Sequence, residues 1–333
     1  MDFVIILYVI LSCLIFFSLS IISYKLNLLD YPIKRKIHNK ATAYTGGIGI
    51  SLTLVFSIYL LEISENDLNN ILSIAFLISM IGFIDDKYNL NVGGKLSLQI
   101  IPIFFLIIFE GIILTHLGDY GYIKFELGTF KVPFTLISVL LLINSFNYFD
   151  GMDGTLSFTT ISVLAILYFL TSDDILNLFL IIIFIPIAIF LCFNFSLFKL
   201  PKMFLGDSGS LLIGFIISFT LIYLANKDLV HPILLAWSVV IFVYEFLSIN
   251  IIRLKNKIDP FKAGKDHLHH MIFEKTKSIF LTNFFITFIN IILFIIGYLS
   301  FILINSLASL IIFISIFFVF FILRNQYSNK RTN

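Results

Sequence analysis

Residues 280–303 read FLTNFFITFINIILFIIGYLSFIL and contain no Asp, Glu, Lys or Arg. A helix needs about 20 mostly apolar residues to cross the hydrocarbon core of a bilayer, and this stretch is long enough. A surface helix of a water-soluble protein is apolar on one face only, whereas this one is apolar all round. The stretch therefore predicts a membrane-spanning α-helix.

Apolar runs of this kind recur from end to end of the chain. Of the 333 residues, 59% are hydrophobic and 13% are charged, and the mean hydropathy is +1.04. A water-soluble domain carries about 25% charged residues, so a soluble class is excluded. Runs bounded by charged or turn-forming residues lie at about 3–23, 46–63, 71–84, 96–116, 133–147, 155–170, 175–193, 209–225, 232–252, 280–303 and 306–323.

These runs predict an all-α fold, a polytopic transmembrane helical bundle of about eleven helices. Backbone amides in hydrocarbon must be bonded within a helix or in a closed barrel, and continuously apolar runs exclude the alternating pattern of barrel strands. The run at 71–84 is short for a full crossing, so ten or twelve helices are the alternatives. A single integral-membrane domain covers residues 1–333, because the runs leave no stretch for a soluble domain.

The placement of Lys and Arg predicts the orientation. With the N-terminus outside, all but three of the 22 Lys and Arg residues fall on the inner side, the exceptions being Lys124, Lys131 and Lys227. Cytoplasmic loops are enriched in these residues. We therefore expect a multi-pass protein of the plasma (inner) membrane with its N-terminus outside and its C-terminus cytoplasmic. The cytoplasmic loops then lie at about 24–45, 85–95, 147–155, 194–208 and 253–279.

Five aspartates fall on the predicted cytoplasmic edge, and each lies in a turn rich in glycine or amide residues: Asp85, Asp86, Asp150, Asp153 and Asp207. Glycines let a backbone approach a ligand closely. Carboxylates clustered at the mouth of a bundle repel one another unless a positive charge lies between them, and a hard divalent cation fits that place. Mg2+ is the cofactor we expect, with Mn2+ as the alternative.

Basic residues and histidines on the same side could face phosphate groups. The positive-inside bias alone explains any single Lys or Arg here. It does not explain three histidines within four positions. On a helix, His267 and His270 would share a face while His269 points elsewhere. A zinc site is disfavoured because the chain has no second Cys/His cluster to complete four ligands. Imidazoles facing a nucleotide pyrophosphate are favoured instead.

Through these residues and their order, the chain resembles the polyprenyl-phosphate N-acetylhexosamine-1-phosphate transferase family. The likeness spans nearly the whole chain, and five motifs occur in the family's order. They are Arg35-Lys36-x-His38 with Gly46-Gly47, Asp85-Asp86 with Lys95-Leu96-x-x-Gln99, Asn144-x-x-Asn147-x-x-Asp150-Gly-x-Asp153-Gly154, Phe204-x-Gly206-Asp207-x-Gly209-Ser210, and His267-x-His269-His270.

The resemblance implies a reaction and its partners. A sugar-1-phosphate would pass from a UDP-N-acetylhexosamine to polyprenyl phosphate in the bilayer, with release of UMP, to begin a cell-envelope glycan such as lipopolysaccharide or teichoic acid. Pro260-Phe261-Lys262 shortly before the histidines resembles the branch that uses simple UDP-N-acetylhexosamines, so UDP-N-acetylglucosamine is the expected donor. The phospho-MurNAc-pentapeptide transferases of peptidoglycan synthesis are the alternative. No nucleic-acid partner is expected, and a homodimer is left open.

The resemblance also implies roles for residues. Asp207 is expected to bind Mg2+ with Asp85 and Asp86 beside it, and one member of that pair is the alternative acceptor of the lipid phosphate's proton. Asp150, Asp153 and Lys95 complete the expected catalytic set. The expected substrate-binding residues are Asn147, Arg35, Lys36, His38, Phe204, His267, His269 and His270.

Two other classes of membrane protein would show different sequence features. A secondary transporter places its site near the midplane on broken helices, often in repeated halves, whereas here the polar motifs lie at one face and no repeat is visible. A non-catalytic scaffold would not need five aspartates in glycine-rich turns. Two polar residues inside apolar runs stay open: Asn144 lines the site or bonds a neighbouring helix, and Glu245 borders a lipid groove or pairs inside the bundle.

Overall fold

A computed structural model describes residues 2–31, 40–61, 63–259, 264 and 266–332. Three of the expected substrate-binding residues, Arg35, Lys36 and His38, lie outside this part of the chain.

Within the described residues the chain is almost wholly helical, and the predicted all-α class is confirmed. The helices are α1 (Asp2–Lys25), α2 (Gly46–Leu61), α3 (Asn66–Tyr88), α4 (Val92–Ile108), α5 (Lys131–Phe149), α6 (Thr155–Leu170), α7 (Asp174–Asn194), α8 (Gly206–Asn226), α9 (Pro232–Ser238), α10 (Val240–Lys255), α11 (Leu268–Thr276), α12 (Ile279–Leu303) and α13 (Ser306–Thr332). In the part of the chain that the structure describes, four short strands form two antiparallel pairs, β1 (Leu29–Asp30) with β2 (Thr42–Ala43), and β3 (His116–Asp119) with β4 (Lys124–Glu126).

Helix lengths support several crossings of a membrane. Among the described residues, 7 helices are long and apolar enough to span one, or up to 8 if the pair α9 and α10 forms one span. The helices α2, α4 and α6 are apolar but shorter. The protein is therefore a multi-pass membrane protein, while the count of about eleven crossings and the orientation stay predictions.

Four details of the predicted runs were wrong. The short run at 71–84 is part of the 23-residue helix α3, because polar residues at both ends continue the helix. The run at 96–116 ends early, since α4 stops at Ile108 before Gly111, whose φ of +70° favours glycine, and His116 opens a strand. The run at 232–252 is two helices bent by 74°. The helix α11 was not predicted, because it does not coincide with an apolar run.

The chain divides into two compact units. The first comprises Met1–Ile112 and Ser172–Thr220, and the second comprises Ile113–Thr171 and Leu221–Asn333. Each unit joins segments that are distant in sequence, so motif residues far apart along the chain are brought into one unit.

In the first unit, a backbone junction fixes where α8 begins. The segment after β2 runs beside the segment before α8, with Gly46 N donating to Phe204 O at 3.0 Å and Gly47 N donating to Leu205 O at 2.9 Å. A Cβ on Gly47 would lie 2.0 Å from the backbone nitrogen of Gly209, so only glycine allows this approach. The start of α8 is therefore held against the start of α2 by backbone alone.

In the second unit, the side chain of an asparagine bonds backbone groups at the break between α9 and α10. Asn290 of α12 is fully buried; its amide nitrogen donates to Ser238 O at 3.3 Å and to Ser162 Oγ at 3.1 Å. Its side-chain oxygen accepts from Ile241 N at 3.4 Å. A bent helix leaves backbone groups without intrahelical partners, and these need other partners where no water is present. The side chain of Asn290 supplies them.

The β3–β4 hairpin lies at one end of the second unit. His231 caps α9, because its Nδ1 accepts from Ile233 N at 3.2 Å, and its Nε2 donates to Asp119 O at 2.9 Å. Burial lowers the pKa of His231 and favours this neutral form. Lys124 lies in this hairpin and Lys131 begins α5, as expected if both face the outside.

The opposite end of the same unit carries an aspartate motif. Asp150 follows the last residue of α5, and a helix of that length separates its ends by about 28 Å at 1.5 Å per residue. Within this unit, two of the three lysines predicted to be external therefore lie at the end away from the aspartates.

Replacing Asn290 should weaken the second unit. Asn290→Leu keeps the volume of the side chain but leaves Ser238 O and Ile241 N without this partner, which costs about 1–3 kcal/mol for buried groups. Thermal unfolding of the purified protein in detergent measures the loss. Ser315→Ala is the control, because its exposed hydroxyl bonds only Ile311 O of its own helix. Equal melting temperatures for both variants would contradict the role of Asn290.

Candidate active site

A charged cluster joins three helices in the first unit. Lys95, in the first turn of α4, places its ammonium 2.8 Å from Asp85 Oδ2, near the end of α3, and also contacts Asp207 Oδ2, in the first turn of α8. Asp85 Oδ1 accepts from Leu90 N at 2.8 Å. The ammonium therefore lies between two carboxylates, which it attracts and holds together.

Asp86 holds the start of α8. Its two side-chain oxygens accept hydrogen bonds from Asp207 N at 2.9 Å and Ser208 N at 3.2 Å. The first N–H groups of a helix have no partner within the helix, and a carboxylate there also interacts favourably with the helix dipole. Asp86 acts as a capping residue supplied by another helix.

Two glycines make this contact between α3 and α8 possible. A Cβ at Gly82 would lie 2.4 Å from Asp207 O, and a Cβ at Gly206 would lie 2.6 Å from Asp86 Oδ2. Gly206 also has φ of +73°, the left-handed region that favours glycine. The glycine of the Gly206-Asp207 motif is therefore required for close backbone approach and for its own conformation.

Lys95 supplies a positive charge between Asp85 and Asp207, and the predicted divalent cation stays a prediction. Among the described residues, no three His, Cys, Asp or Glu side chains converge as a ready-made metal site. Mg2+ commonly binds one or two carboxylates and completes its shell with water and substrate phosphates. Asp207 is partly exposed, with a side-chain accessibility of 31%, and it adjoins Asp85 through Lys95. The hard oxygen donors of Asp207 and Asp85 fit this kind of Mg2+ site, because the positive charge between them is on the flexible side chain of Lys95, whereas both oxygens of Asp86 accept backbone N–H groups at the start of α8.

In the second unit, the turn that carries Asp150 and Asp153 is fixed from α12. Asn283 Nδ2 donates to Asp153 O at 2.8 Å, and Asn283 Oδ1 accepts from Thr155 Oγ1 at 2.7 Å. Asn283 and Thr155 are both buried. The amide of Asn283 therefore clamps the two sides of Gly154, where the chain turns from α5 into α6.

The histidine motif lies against the same turn. A Cβ at Gly151 would lie 2.2 Å from His269 Nε2, so the ring of His269 packs directly on the backbone that follows Asp150. His269 is 1% exposed. Burial, then the neighbouring His270 and His267, lower the pKa of His269 well below its usual range, so this imidazole is neutral near pH 7.

The predicted arrangement of the histidines was wrong. The rings of His267 and His269 are parallel with centroids 5.7 Å apart, and those of His269 and His270 are 4.2 Å apart, so the three rings form one row. His267 is not a helical residue: it is the N-cap of α11, with extended φ and ψ of −71° and 154°. The helical spacing rule therefore does not apply across this segment.

The remaining predicted residues divide between the two units. Phe204 lies in the first, and its N–H donates to Ala43 O at 2.7 Å beside the start of α8. Asn147 lies in the second, where its carbonyl accepts from Asp150 N at 3.2 Å. Asn144 Nδ2 donates to Leu140 O one turn earlier in its own helix.

The structure thus gathers the predicted residues into two clusters. Asp85, Asp86, Lys95, Asp207 and Phe204 lie in the first unit. Asn147, Asp150, Asp153, His267, His269 and His270 lie in the second. That the two clusters serve one site stays a prediction.

Sequence reasoning missed several residues that hold the clusters in place. Asn283 was hidden in an apolar run, where a lone amide is the one available signal. Arg253 was counted only for topology, yet it donates to both oxygens of Asp266, at 3.0 and 2.8 Å, directly before the histidines. Burial works against ionisation of Asp266, but the bonds and charge of Arg253 outweigh it and lower the pKa of Asp266.

The chain is similar in sequence to known proteins. The family described as "Glycosyl transferase family 4" matches residues 68–225, which include both aspartate pairs, Lys95 and Asp207. Relatives named undecaprenyl-phosphate alpha-N-acetylglucosaminyl 1-phosphate transferase are 28% identical in Yersinia pestis, over 75% of this chain and 71% of the relative, and 26% identical in Escherichia coli (strain K12), over 74% and 70%. A Bacillus subtilis (strain 168) protein named probable undecaprenyl-phosphate N-acetylglucosaminyl 1-phosphate transferase is 30% identical, over 75% and 71%.

The helical fold and the charged clusters at helix ends define a multi-pass membrane protein with an enzyme-like site. The Bacillus subtilis similarity extends over more than two thirds of both chains, and the family match contains the first cluster. The chain belongs to glycosyl transferase family 4, which confirms the resemblance carried by its motifs.

Gly82→Ala should disturb the first cluster. The added methyl would overlap the backbone of Asp207 and Ser208, which cannot move aside as a flexible side chain would, so we expect a loss of about 1–3 kcal/mol. The melting temperature in detergent measures it. Gly93→Ala is the matched control, because its nearest atom is Asn91 Oδ1 at 3.6 Å, an ordinary contact. If Gly82→Ala melts no lower than Gly93→Ala, the close approach of α3 and α8 is refuted.

Proposed function

We propose that the protein transfers N-acetylglucosamine-1-phosphate from UDP-N-acetylglucosamine to undecaprenyl or another polyprenyl phosphate at the cytoplasmic face. The names of its relatives in three species support the acceptor and the sugar. The observation that carries the proposal is the bridge from Asp85 through Lys95 to Asp207, with Asp86 capping the helix that bears Asp207. Such a cluster of fixed charges suits a reaction between phosphate groups.

The proposed step is one displacement at phosphorus. An oxygen of the lipid phosphate attacks the β-phosphorus of the UDP-sugar, a new P–O bond forms, and the bond from the β-phosphorus to the bridging oxygen of UMP breaks. UMP leaves with that oxygen, and the product is a polyprenyl diphosphate sugar. Phosphoryl transfer depends mainly on positioning and on stabilising charge, so no protein nucleophile is required.

The chain's own residues supply positive charge and hydrogen-bond donors for these phosphates. Lys95 stands between two carboxylates and can turn its ammonium to a phosphate oxygen. Asp85 is the proposed acceptor of the lipid phosphate's proton, because its Oδ2 contacts the flexible side chain of Lys95, whereas both oxygens of Asp86 bond backbone N–H groups at the start of α8. His269 and its neighbours offer imidazole N–H donors to the pyrophosphate.

Mg2+ is the proposed cofactor, with Mn2+ as its alternative. Asp207 would hold it, with Asp85 beside it, and when bound it would supply charge that neutralises the phosphate oxygens. We further propose that Asp150, Asp153 and Asn147 line the nucleotide pocket. Phe204, Arg35, Lys36 and His38 remain proposed contacts of the substrates.

The reaction can be tested directly. Purified protein, undecaprenyl phosphate and radiolabelled UDP-N-acetylglucosamine with Mg2+ should give a labelled lipid and free UMP, and EDTA should abolish both until Mg2+ is restored. Parallel reactions contain UDP-N-acetylgalactosamine and UDP-MurNAc-pentapeptide. A labelled lipid with the pentapeptide donor alone would move the protein to the peptidoglycan branch. No lipid product from any donor would favour a transporter.

The role of Asp207 has a matched test. Asp207→Asn should lower transfer by at least about 100-fold, as expected when a group that stabilises transition-state charge is removed, while the melting temperature changes little. Asp174→Asn is the control, because Asp174 is also the acidic residue in the first turn of a long apolar helix. Both variants lose the same interaction with a helix dipole. Transfer by Asp207→Asn at the rate of Asp174→Asn would disprove the role in catalysis.

A further inference from the structure

A buried ion pair in the second unit lies outside the residues that the family match covers. Glu245 of α10 is 1% exposed, and Arg324 of α13 is 6% exposed. Arg324 Nη2 lies 2.8 Å from Glu245 Oε1. Only 6% of the apolar window of α13 is buried, and the preceding residue Leu323 is 61% exposed. Arg324 is therefore a buried charged residue on a helix that has few buried side chains.

Glu245 caps the helix that carries the histidines. Its Oε1 accepts from Leu268 N, the first residue of α11, at 2.8 Å. The N-cap residue His267 makes no side-chain capping bond of its own. The first N–H groups of a helix need acceptors, and a carboxylate from another helix provides one here.

Arg324 holds the residue on the other side of His267. Its Nη2 donates to Asp266 O at 2.7 Å as well as to Glu245. Glu245 Oε1 also lies 3.7 Å from His267 Nδ1. The two buried side chains thus fix the backbone immediately before and immediately after His267, and with it the start of the row of three rings.

Stability alone does not account for this pair. Taking two charges out of water costs free energy that their attraction often fails to recover, and apolar replacements of similar volume are often neutral or stabilising. Among the described residues, Glu245 Oε2 and Arg324 Nε have no hydrogen-bond partner, so the pair is not optimised for burial. The pair instead fixes the backbone on either side of His267.

We propose that Glu245 and Arg324 are positioning residues that set the histidine segment for the nucleotide donor. This makes α13 part of the scaffold of the active site. The inference rests on the proposed transferase function for its catalytic consequence, whereas the positioning of residues 266–270 is measurable without any reaction.

The test separates position from stability with a double variant. Glu245→Leu with Arg324→Met removes both charges at similar volume, so the melting temperature in detergent should stay near that of the wild type. Hydrogen exchange measured by mass spectrometry should become faster at Leu268 and the residues beside it, because Leu268 N loses its acceptor. The kcat/KM for UDP-N-acetylglucosamine should fall by about 100-fold, as for a misplaced positioning group, while KM for the lipid phosphate stays unchanged.

Two further variants guard against a merely structural effect. Tyr244→Phe removes a hydroxyl that bonds Phe313 O, so it alters another contact between α10 and α13 without touching the histidine segment, and it should leave exchange at Leu268 and kcat/KM as in the wild type. Glu245→Gln keeps an oxygen for Leu268 N and should retain more activity than the double variant. If the double variant fails to fold, Glu245→Gln is compared with Glu245→Leu, which lacks that oxygen and leaves Arg324 equally without a counter-charge. Exchange at Leu268 should then be slower and kcat/KM higher in Glu245→Gln, and equal values would overturn the proposal.

Each outcome decides a different claim. Wild-type exchange and wild-type kcat/KM in a stable double variant would overturn the positioning role, as would a loss in Glu245→Gln equal to that in a folded double variant. If the wild type forms no lipid-linked sugar but exchange at Leu268 still responds to the variants, the transferase proposal fails and the positioning of the segment stands.

Discussion

The absence of water from hydrocarbon is the constraint on which this structure depends. Every backbone N–H and C=O in an apolar surrounding needs a hydrogen-bond partner inside the protein. The long apolar runs therefore form helices, and wherever a helix is interrupted, side chains must bond the backbone groups. The break between α9 and α10 is repaired by Asn290, and the turn into α6 is clamped by Asn283 from the same helix. Asn283 and Asn290, two amides in one apolar run, therefore mark places where a neighbouring stretch of backbone departs from a helix.

The same constraint explains how the charges are arranged. In the first unit, Lys95 joins two carboxylates, and Asp86 accepts from N–H groups at the start of α8 that have no partner within the helix. In the second, Arg324 and Glu245 satisfy groups on either side of His267. Buried charge is tolerated where it is paired and hydrogen-bonded. A site made in this way is preorganised, which is what a reaction between phosphates needs from a protein.

Family membership and local geometry support each other here but rest on different observations. The family match covers residues 68–225 and contains the Lys95 bridge, whereas the histidine row and its buried ion pair lie beyond that range. In the sequence, the adjacent aspartates Asp85 and Asp86 form a single motif. In the structure, the two side chains have different partners. Asp85 contacts Lys95, and Asp86 caps α8.

The sequence by itself determined the all-α membrane class, the approximate location of most apolar helices and the motifs that carry the family resemblance, because hydropathy and motif spacing are local properties. The tertiary structure alone decided the bend after α9, the hairpin after α4 and the row of histidines. It also decided the partners of Asp86, Asn283, Glu245 and Arg324. These depend on contacts between segments far apart in the chain: Arg324 looks like any other positive-inside residue until α13 places it against α10. A pattern read along one helix cannot reveal which other helix will satisfy its polar groups.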